Sequence, residues 1–307
     1  MTRPLVFLFP GQSSRDPEMF SRLAAVAPDV AAAARTELCG RGVQEEALGD
    51  NRAVQLAVFG ASRAWAAVVA RHGVVPTASA GHSLGEYSHL VQAGALEEDA
   101  ARDLVDARGA VYDAGPPGVM AALHPLGADV LDGLLEGEAA WLACDNSPTQ
   151  VVIGGEGEAV TRVLARAEEE HYVYGDLIES RIPMHTPAFA PAAETLRPHL
   201  VATPWRPIAT YWSNVVGGAV HEAGPGTFVE LLARHVFEPV RWRALIEAVL
   251  ARYPGAVFLE VGPRASLAAL LRRWKPELPV FAVDPAGPEA PEAGFRAAME
   301  GIRRALA

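Results

Sequence analysis

Ala80-Gly81-His82-Ser83-Leu84-Gly85-Glu86-Tyr87 is the stretch that decides the fold of this 307-residue chain, because it contains the pentapeptide G-x-S-x-G. An extended, apolar segment, 73–79, leads into it, and 84–92 leaves it with the apolar spacing of a helix. A strand, a sharp turn and a helix in that order lift a serine hydroxyl out of the backbone, and the flanking glycines make room for the turn. The context predicts a nucleophile elbow with Ser83 as the nucleophile. A tight turn without a catalytic role is the alternative, because the pentapeptide alone often occurs by chance.

Most of the chain alternates short apolar strands with longer helices, which is typical of an α/β fold built on a parallel sheet. Leu5 to Phe9, closed by Pro10-Gly11, is the predicted first strand, and 209–212 and 256–261 are later strands. Helices are predicted over about 17–37, 53–72, 84–92, 96–112, 188–200, 226–236, 242–253 and 265–274, and from 292 onward.

The elements become shorter and closer together after a loop with Gly and Pro at 113–118. Strands are predicted at 119–124, 140–144, 150–154 and 172–179, and helices at 127–135 and 156–171. This β-α-β-β-α-β order is the ferredoxin-like arrangement. We therefore expect a large α/β domain of residues 1–118 and 185–307, interrupted by a small inserted ferredoxin-like domain of residues 119–184.

Composition excludes several classes of function. The formal net charge is −11, which argues against broad nucleic-acid binding, and Lys275 is the only lysine. Cys39 and Cys144 lie far apart without metal-ligand spacing, so each is predicted to be a buried free thiol, and no metal site is expected. We see neither the apolar core of a signal peptide nor an apolar stretch of the roughly 20 residues that span a bilayer. A cytoplasmic protein that does not enter a membrane is expected.

A serine nucleophile needs a base within hydrogen-bond reach. The candidate histidines are His82, His89, His124, His185 and His235. His185 lies between prolines where the chain returns from the predicted insert, and it is the preferred base, although a structural histidine is the alternative. His82 is next to the serine and is expected to pack or to line the site, since neighbouring side chains at a tight turn point apart. His89, on the outgoing helix, is expected to be structural.

The oxyanion of a serine reaction needs backbone donors as well. The N–H of Leu84, at the start of the outgoing helix, is the expected first donor in an elbow. The loop 10–14 follows the first strand and would supply a second donor through the Gln12 backbone, although a plain strand-to-helix turn fits that loop equally.

Several motifs resemble those of the malonyl-CoA:acyl-carrier-protein transacylase family and occur in the same order as in that family. The family includes the acyltransferase domains of modular polyketide synthases. The resemblance covers about 5–270, and the Arg-rich C-terminal extension is similar to the polyketide-synthase branch, so a discrete, trans-acting acyltransferase is expected. The motifs are FPGQ (9–12), GHSLGEY (81–87), RG (108–109), MAAL (120–123), NSPTQVVIG (146–154), PMH (183–185), SNV (213–215), PVRW (239–242) and EVGP (260–263).

This resemblance implies a large domain that is α/β-hydrolase-like at its elbow and a Ser-His dyad. Ser83 would attack a thioester, His185 would be the general base, and the amides of Gln12 and Leu84 would hold the oxyanion. A main-chain carbonyl near an Asn or Gln orients the family's histidine; His235 stands at that position here, which leaves the contribution of its side chain in question.

The resemblance also implies residues that bind the acyl group. Arg108 would bind the free carboxylate of a malonyl-type substrate bidentately, although an arginine on a helix is ordinarily solvated. His82, Met184 and Asn146 would line the substrate site. Met184 matches neither the malonyl nor the methylmalonyl pattern of the polyketide branch, and methionine adapts to unusual shapes.

The expected reaction is a ping-pong acyl transfer through an acyl-serine. CoA or a carrier protein would deliver the acyl group as a thioester, with malonyl-CoA favoured, and the phosphopantetheine thiol of an acyl carrier protein would accept it. No bound cofactor and no metal is expected, and the family implies a monomer. Because these carriers are acidic, docking is expected at arginines, with 272–275 and Arg181 as candidate clusters.

Two departures from the family pattern leave other functions open. The family loop reads GQGSQ, whereas this chain reads Gly11-Gln12-Ser13-Ser14-Arg15, which would reshape the pocket beside the oxyanion donor. This departure and Met184 allow a carrier-to-carrier transferase of a starter or intermediate, or an acyl-carrier-protein thioesterase for editing. A catalytically idle docking protein is the third hypothesis, and the set of Ser83, His185 and Arg108 argues against it.

Overall fold

A computed structural model describes residues 3–45, 48–285 and 290–307 of the chain. The chain divides into two compact units, one of Met1–Gly109 with Leu250–Ala307 and one of Ala110–Val249. The inserted domain predicted for 119–184 lies within the second unit, and its boundaries stay a prediction.

Strands and helices alternate over most of the chain. The strands are β1 (Leu5–Phe9), β2 (Ala78–Gly81), β3 (Val119–His124), β4 (Ala140–Ser147), β5 (Gln150–Gly155), β6 (Tyr174–Glu179), β7 (Ile208–Ser213), β8 (Gly218–Ala223), β9 (Val257–Glu260) and β10 (Val280–Ala282). The helices are α1 (Met19–Val26), α2 (Pro28–Gly40), α3 (Asn51–Arg71), α4 (Gly85–Gln92), α5 (Glu98–Asp113), α6 (Ala128–Leu135), α7 (Gly157–His171), α8 (Ala190–Ala202), α9 (Pro225–Arg234), α10 (Trp242–Arg252), α11 (Ser266–Trp274) and α12 (Pro291–Leu306).

A four-stranded parallel sheet in the order β10-β9-β1-β2 forms the centre of the first unit. All five residues of β1 are buried, as expected for a parallel strand that is covered on both faces. Phe9 pairs with Gly81 of β2, and Leu8 pairs with Glu260 of β9, so these strands end at one edge of the sheet. The elbow and the loop after β1 leave from this edge, where parallel α/β sheets bind their ligands.

Helix α3 packs against α1, α2 and α4 in the first unit. The Asp50 side chain caps it by accepting a hydrogen bond from the backbone N–H of Ala53 at 2.6 Å. Among the described residues, this helix is long and apolar enough to cross a membrane, with a mean hydropathy of 1.4 over its best window, so the expectation of no stretch of that length was wrong. However, 78% of that window is buried inside the protein, which identifies α3 as a core helix.

The second unit contains the predicted ferredoxin-like sheet. Its antiparallel strands follow the order β4-β5-β3-β6, which is the order that the β-α-β-β-α-β connection produces. Leu123, Ile153 and Val163 are fully buried in the core that α6 and α7 form on this sheet. Strands β7 and β8 form a separate antiparallel pair. The fold class predicted from the sequence is confirmed.

Some local predictions were wrong. The strand that leads into the elbow is β2 and not residues 73–79, and Pro28 begins a new helix within the predicted helix 17–37. Strands β8 and β10 were not predicted. Cys144 is a buried free thiol as expected, whereas Cys39, near the end of α2, is exposed.

Candidate active site

The backbone at Ser83 has the conformation of a nucleophile elbow. Ser83 has a φ of +50°, a left-handed value that is strained for a residue with a side chain. A Cβ at Gly81 would overlap the Gly85 backbone, and one at Gly85 would overlap the carbonyl of Phe9. Both glycines are therefore required for β2, the turn and α4 to fit against the end of β1.

Two backbone N–H groups beside the elbow are available as donors. The His82 N–H donates to the Phe9 carbonyl at 2.9 Å, which ties the turn to the end of β1. A Cβ on Gly11 would lie 3.1 Å from the His82 carbonyl oxygen, so the loop after β1 runs against the turn. Within the described part of the chain, neither the Gln12 nor the Leu84 N–H donates a hydrogen bond. These are the donors expected for an oxyanion hole.

Arg108 is buried beside the serine. Its side chain is only 1% exposed, and Nη2 donates to Ser83 Oγ at 3.1 Å, while Nη1 donates to Gln55 Oε1 at 2.7 Å. The guanidinium carbon also lies 5.6 Å from the centre of the Tyr87 ring. A Cβ on Gly109 would overlap the Arg52 backbone, so the RG pair lets α5 approach α3 closely. The close approach explains how an arginine on a helix comes to face the elbow.

A chain of amide side chains joins Arg108 to the loop after β1. Gln55 Nε2 donates to Gln12 Oε1 at 3.0 Å, and Gln12 Nε2 donates to Asn51 Oδ1 at 3.2 Å. Asn51 and Gln55 are buried and lie one turn apart on α3. They were not selected from the sequence, although two amide residues four apart on one face of a largely apolar helix are a usable signal, because buried polar groups need partners.

His185 is held by the segment that follows α9. It is buried and has a φ of +60°. Its N–H donates to the Val236 carbonyl at 3.2 Å, and Nδ1 lies 2.7 Å from the carbonyl oxygen of His235. Because a carbonyl can only accept, Nδ1 carries the proton, and Nε2 is left as the basic nitrogen. The backbone contact that the resemblance implied at His235 is present.

The other predicted site residues occupy varied surroundings. Met184 and Asn146 are buried, and Asn146 Nδ2 donates to Gln150 Oε1 at 3.2 Å. His82 is half-buried in the elbow. Roles in substrate binding stay predictions for these three.

Two further candidate histidines have ordinary structural environments. His89 Nδ1 lies 2.8 Å from Ser79 Oγ, and burial lowers the pKa of His89 to about 3. His124 is partly exposed and pairs with Asp176 at 3.1 Å. In the described ranges, His, Cys, Asp and Glu side chains form no cluster of three or more that could hold a metal ion.

The strained turn at Ser83 follows a strand of the parallel sheet, and the chain also forms a ferredoxin-like sheet. The model of the acyl transferase domain family matches residues 6–277, and the chain belongs to this family. The resemblance identified from the motifs is thereby confirmed.

Its relatives carry more specific names. The chain is 32% identical to the malonyl CoA-acyl carrier protein transacylase of Escherichia coli O157:H7, over 87% of this chain and 91% of that protein. The crystal structure of FabD from Acinetobacter baumannii has a TM-score of 0.87 at 27% identity, covering 99% of this chain and 100% of that one. A malonyl-transacylase solved in complex with its type II polyketide-synthase acyl-carrier protein has a TM-score of 0.85 at 30% identity, covering 97% and 99% of the two chains.

Proposed function

We propose that this acyltransferase moves a malonyl group from CoA to the phosphopantetheine thiol of an acyl carrier protein by a ping-pong mechanism. The named relatives and the solved complex of a malonyl-transacylase with its carrier support the substrate and the acceptor. The thioester is the substrate, and the reaction needs no cofactor. We also propose that the protein is a cytoplasmic monomer that does not bind nucleic acid.

The first half-reaction forms an acyl-serine. His185 Nε2 takes the proton of the Ser83 hydroxyl while Oγ attacks the thioester carbonyl carbon. The amides of Gln12 and Leu84 stabilise the negative charge on the carbonyl oxygen. The C–S bond then breaks, and the sulfur of CoA leaves with the proton from His185.

The second half-reaction reverses these steps with a different thiol. The phosphopantetheine thiol gives its proton to His185 Nε2 and attacks the ester carbonyl carbon. The C–O bond breaks, and Ser83 recovers its proton from His185. Water must be excluded meanwhile, because it would hydrolyse the same ester.

The contact between Arg108 and Ser83 is the observation that carries the choice of substrate. A guanidinium nitrogen lies 3.1 Å from the oxygen on which the acyl group would be carried. The free carboxylate of a malonyl group lies only a few bonds from that ester oxygen, so it falls within reach of the guanidinium. An unsubstituted acyl group such as acetyl would leave the buried charge without that partner.

The unusual loop after β1, together with Met184, was the reason to consider hydrolysis or another transfer. Ser14 is buried, and its hydroxyl donates to the Gly11 carbonyl at 2.8 Å, while Ser13 is exposed. These two side chains therefore stabilise the loop locally, and the Gln12 N–H keeps its availability. The loop accordingly gives no support to thioesterase activity or to carrier-to-carrier transfer of another acyl group.

Intact-mass spectrometry with a panel of acyl-CoAs tests the function. We expect a stable malonyl adduct, with acetyl-CoA and longer acyl-CoAs reacting weakly, and loss of the adduct when a holo carrier protein is added. Rapid release of free malonate without a carrier would instead identify a thioesterase, and no adduct from any CoA would favour carrier-to-carrier transfer.

A further inference from the structure

The His235 side chain lies against the ring of His185. The two ring centroids are 4.9 Å apart, and the ring planes are inclined by 32°. Both residues are almost completely buried, with exposures of 1% and 2%. The contact is therefore made by the imidazole of His235 in addition to the hydrogen bond that its backbone carbonyl accepts.

Three contacts from two consecutive residues hold His185. The Val236 carbonyl accepts from the backbone N–H, the His235 carbonyl accepts from Nδ1, and the His235 ring lies beside the imidazole at a tilt. A residue with a φ of +60° stays in that conformation only when its surroundings hold it there. The Tyr112 ring approaches His185 edge-on, with centroids 6.4 Å apart. The hydrogen bonds fix the backbone and one ring nitrogen, whereas the adjacent His235 ring limits the rotation of the imidazole.

We propose that the His235 ring is a positioning residue for His185, and that it supports the protonated form of His185 during acyl transfer. The inference rests on the proposed function, in which His185 accepts the serine proton. The contact between the two rings keeps Nε2 in the orientation that the Nδ1 hydrogen bond gives it. When His185 is protonated, its cationic ring lies against a second aromatic ring, which is a favourable arrangement.

The feature is specific to the side chain at this position. The resemblance places an asparagine or glutamine here, and either supplies the same backbone carbonyl. An amide side chain has no comparable aromatic face. His235 therefore adds a contact to a hydrogen bond that any residue would provide.

Three substitutions separate the ring from the carbonyl. His235→Ala and His235→Asn keep the backbone carbonyl and remove the ring, whereas His235→Phe keeps a flat ring. The rate of Ser83 acylation by malonyl-CoA is measured in single turnovers, together with KM. We expect the alanine and asparagine variants to acylate about 3- to 10-fold more slowly with unchanged KM, and the phenylalanine variant to stay within about twofold of wild type.

A control and two outcomes complete this test. His221→Ala, at an exposed histidine of β8 in the same unit, is expected to match wild type. A wild-type rate in His235→Ala would overturn the proposal. A phenylalanine variant as slow as the alanine variant would also overturn it, because the loss would then come from the imidazole's polar atoms and not from its face.

NMR of the wild-type protein tests the contact without relying on the stability of a variant. Ring-current shielding by His235 should move the carbon-bound proton resonances of the His185 ring upfield, and His235→Phe should retain the shift while His235→Ala loses it. Absence of the shift in wild type would contradict the proposal. If wild type formed no malonyl adduct, the proposed function would fail. The ring-current shift would still test the contact between the two histidine rings, because it does not depend on the reaction.

Discussion

Arg108 is a charged side chain that the fold buries beside Ser83. Burying a guanidinium is unfavourable unless its donors are satisfied. Gln55 and Ser83 accept hydrogen bonds from two of its nitrogens, and Gln55 is itself held by Gln12. The amide side chains of Gln55 and Gln12 are neutral, so they do not offset the positive charge of the guanidinium. A carboxylate that arrives on Ser83 would therefore meet a guanidinium that is already oriented.

Replacing Arg108 tests this interpretation at the residue scale. Arg108→Ala should lower kcat/KM for malonyl-CoA about 10- to 100-fold, because a charge-assisted, bidentate contact is lost. The same change should leave acetyl-CoA unaffected or improve it. Steady-state kinetics with both substrates measures the ratio.

Arg108→Lys is the matched control, since it keeps the charge and loses the fork of donors. We expect it to retain part of the malonyl preference. An alanine variant that still prefers malonyl-CoA to acetyl-CoA by the wild-type ratio would show that Arg108 does not select the substrate.

At the scale of the elements, the elbow depends on contacts between backbones. A side chain on Gly81 would overlap the Gly85 backbone within the turn, and one on Gly85 would overlap the Phe9 carbonyl at the end of β1. Gly81→Ala should destabilise the protein by about 1–3 kcal/mol, because the Gly85 backbone would have to move. Urea unfolding measures the change.

Gly133 of α6 provides a control with the same substitution. An added Cβ there meets nothing within 4 Å. Gly133→Ala should therefore be neutral or stabilise the protein by up to about 1 kcal/mol. Equal effects of the two substitutions would contradict the structural role of Gly81.

His89 and Ser79 join α4 to β2 beneath the elbow. Burial lowers the pKa of His89 from 6.5 to about 3, so the folded protein keeps it neutral while the unfolded chain protonates it below pH 6.5. Because the pKa is lowered in the folded state, the contribution of His89 to the free energy of unfolding is intact above pH 6.5 and is lost as the pH falls toward 3. The loss approaches about 1.4 kcal/mol per pH unit.

A comparison of pH dependences checks this prediction. In urea unfolding between pH 7 and pH 4, His89→Gln should lose stability less steeply than wild type. Ser79→Ala should keep the wild-type slope, because burial and not the serine is the main cause of the lowered pKa. Parallel slopes for wild type and His89→Gln would refute the assignment.

Local patterns in the sequence predicted most of these elements, and the failures have physical causes. The alternation in 119–179 fixed the ferredoxin-like order because each of its strands is bounded by turn residues or a helix. Strand β8 lacks the alternation of apolar and polar residues that distinguishes a strand from a loop, since the consecutive residues His221 and Glu222 are both exposed. The spacing of residues in the sequence does not reveal why Gly85 and Gly109 are needed. Each is approached by backbone from a distant part of the chain, and a side chain there would overlap it.

In the candidate site, too, local sequence patterns predicted some residues, whereas others depend on tertiary packing. The serine and its helix could be predicted from one continuous motif, whereas Arg108 on an ordinary helix could be selected only through the family resemblance. Asn51 and Gln55 were not selected at all. Their spacing places both on one face of α3, but it does not show that this face packs against the loop after β1.

At the scale of the whole molecule, the proposed function requires this acidic chain to bind an acidic carrier, and local arginines are the candidates for that contact. Arg272 Nη2 donates to the Val280 carbonyl at 2.8 Å, so part of that candidate cluster has a structural function. Arg273 on the same helix is exposed and remains a candidate. Arg273→Glu should raise KM for the carrier severalfold and leave acylation of Ser83 by malonyl-CoA unchanged.

Arg296→Glu, which reverses an exposed charge on α12, is the matched control and should change neither half-reaction. Equal effects of Arg273→Glu on acylation and on transfer would place the carrier surface elsewhere.

The central claim is that Ser83 is the residue that carries the malonyl group. Its most direct test is peptide mapping by mass spectrometry after brief incubation with malonyl-CoA, in wild type and in Ser83→Ala. We expect the malonyl mass on the peptide that contains Ser83, and no adduct in the variant. A malonyl group on any other residue, or a Ser83→Ala protein that still becomes acylated, would contradict the account.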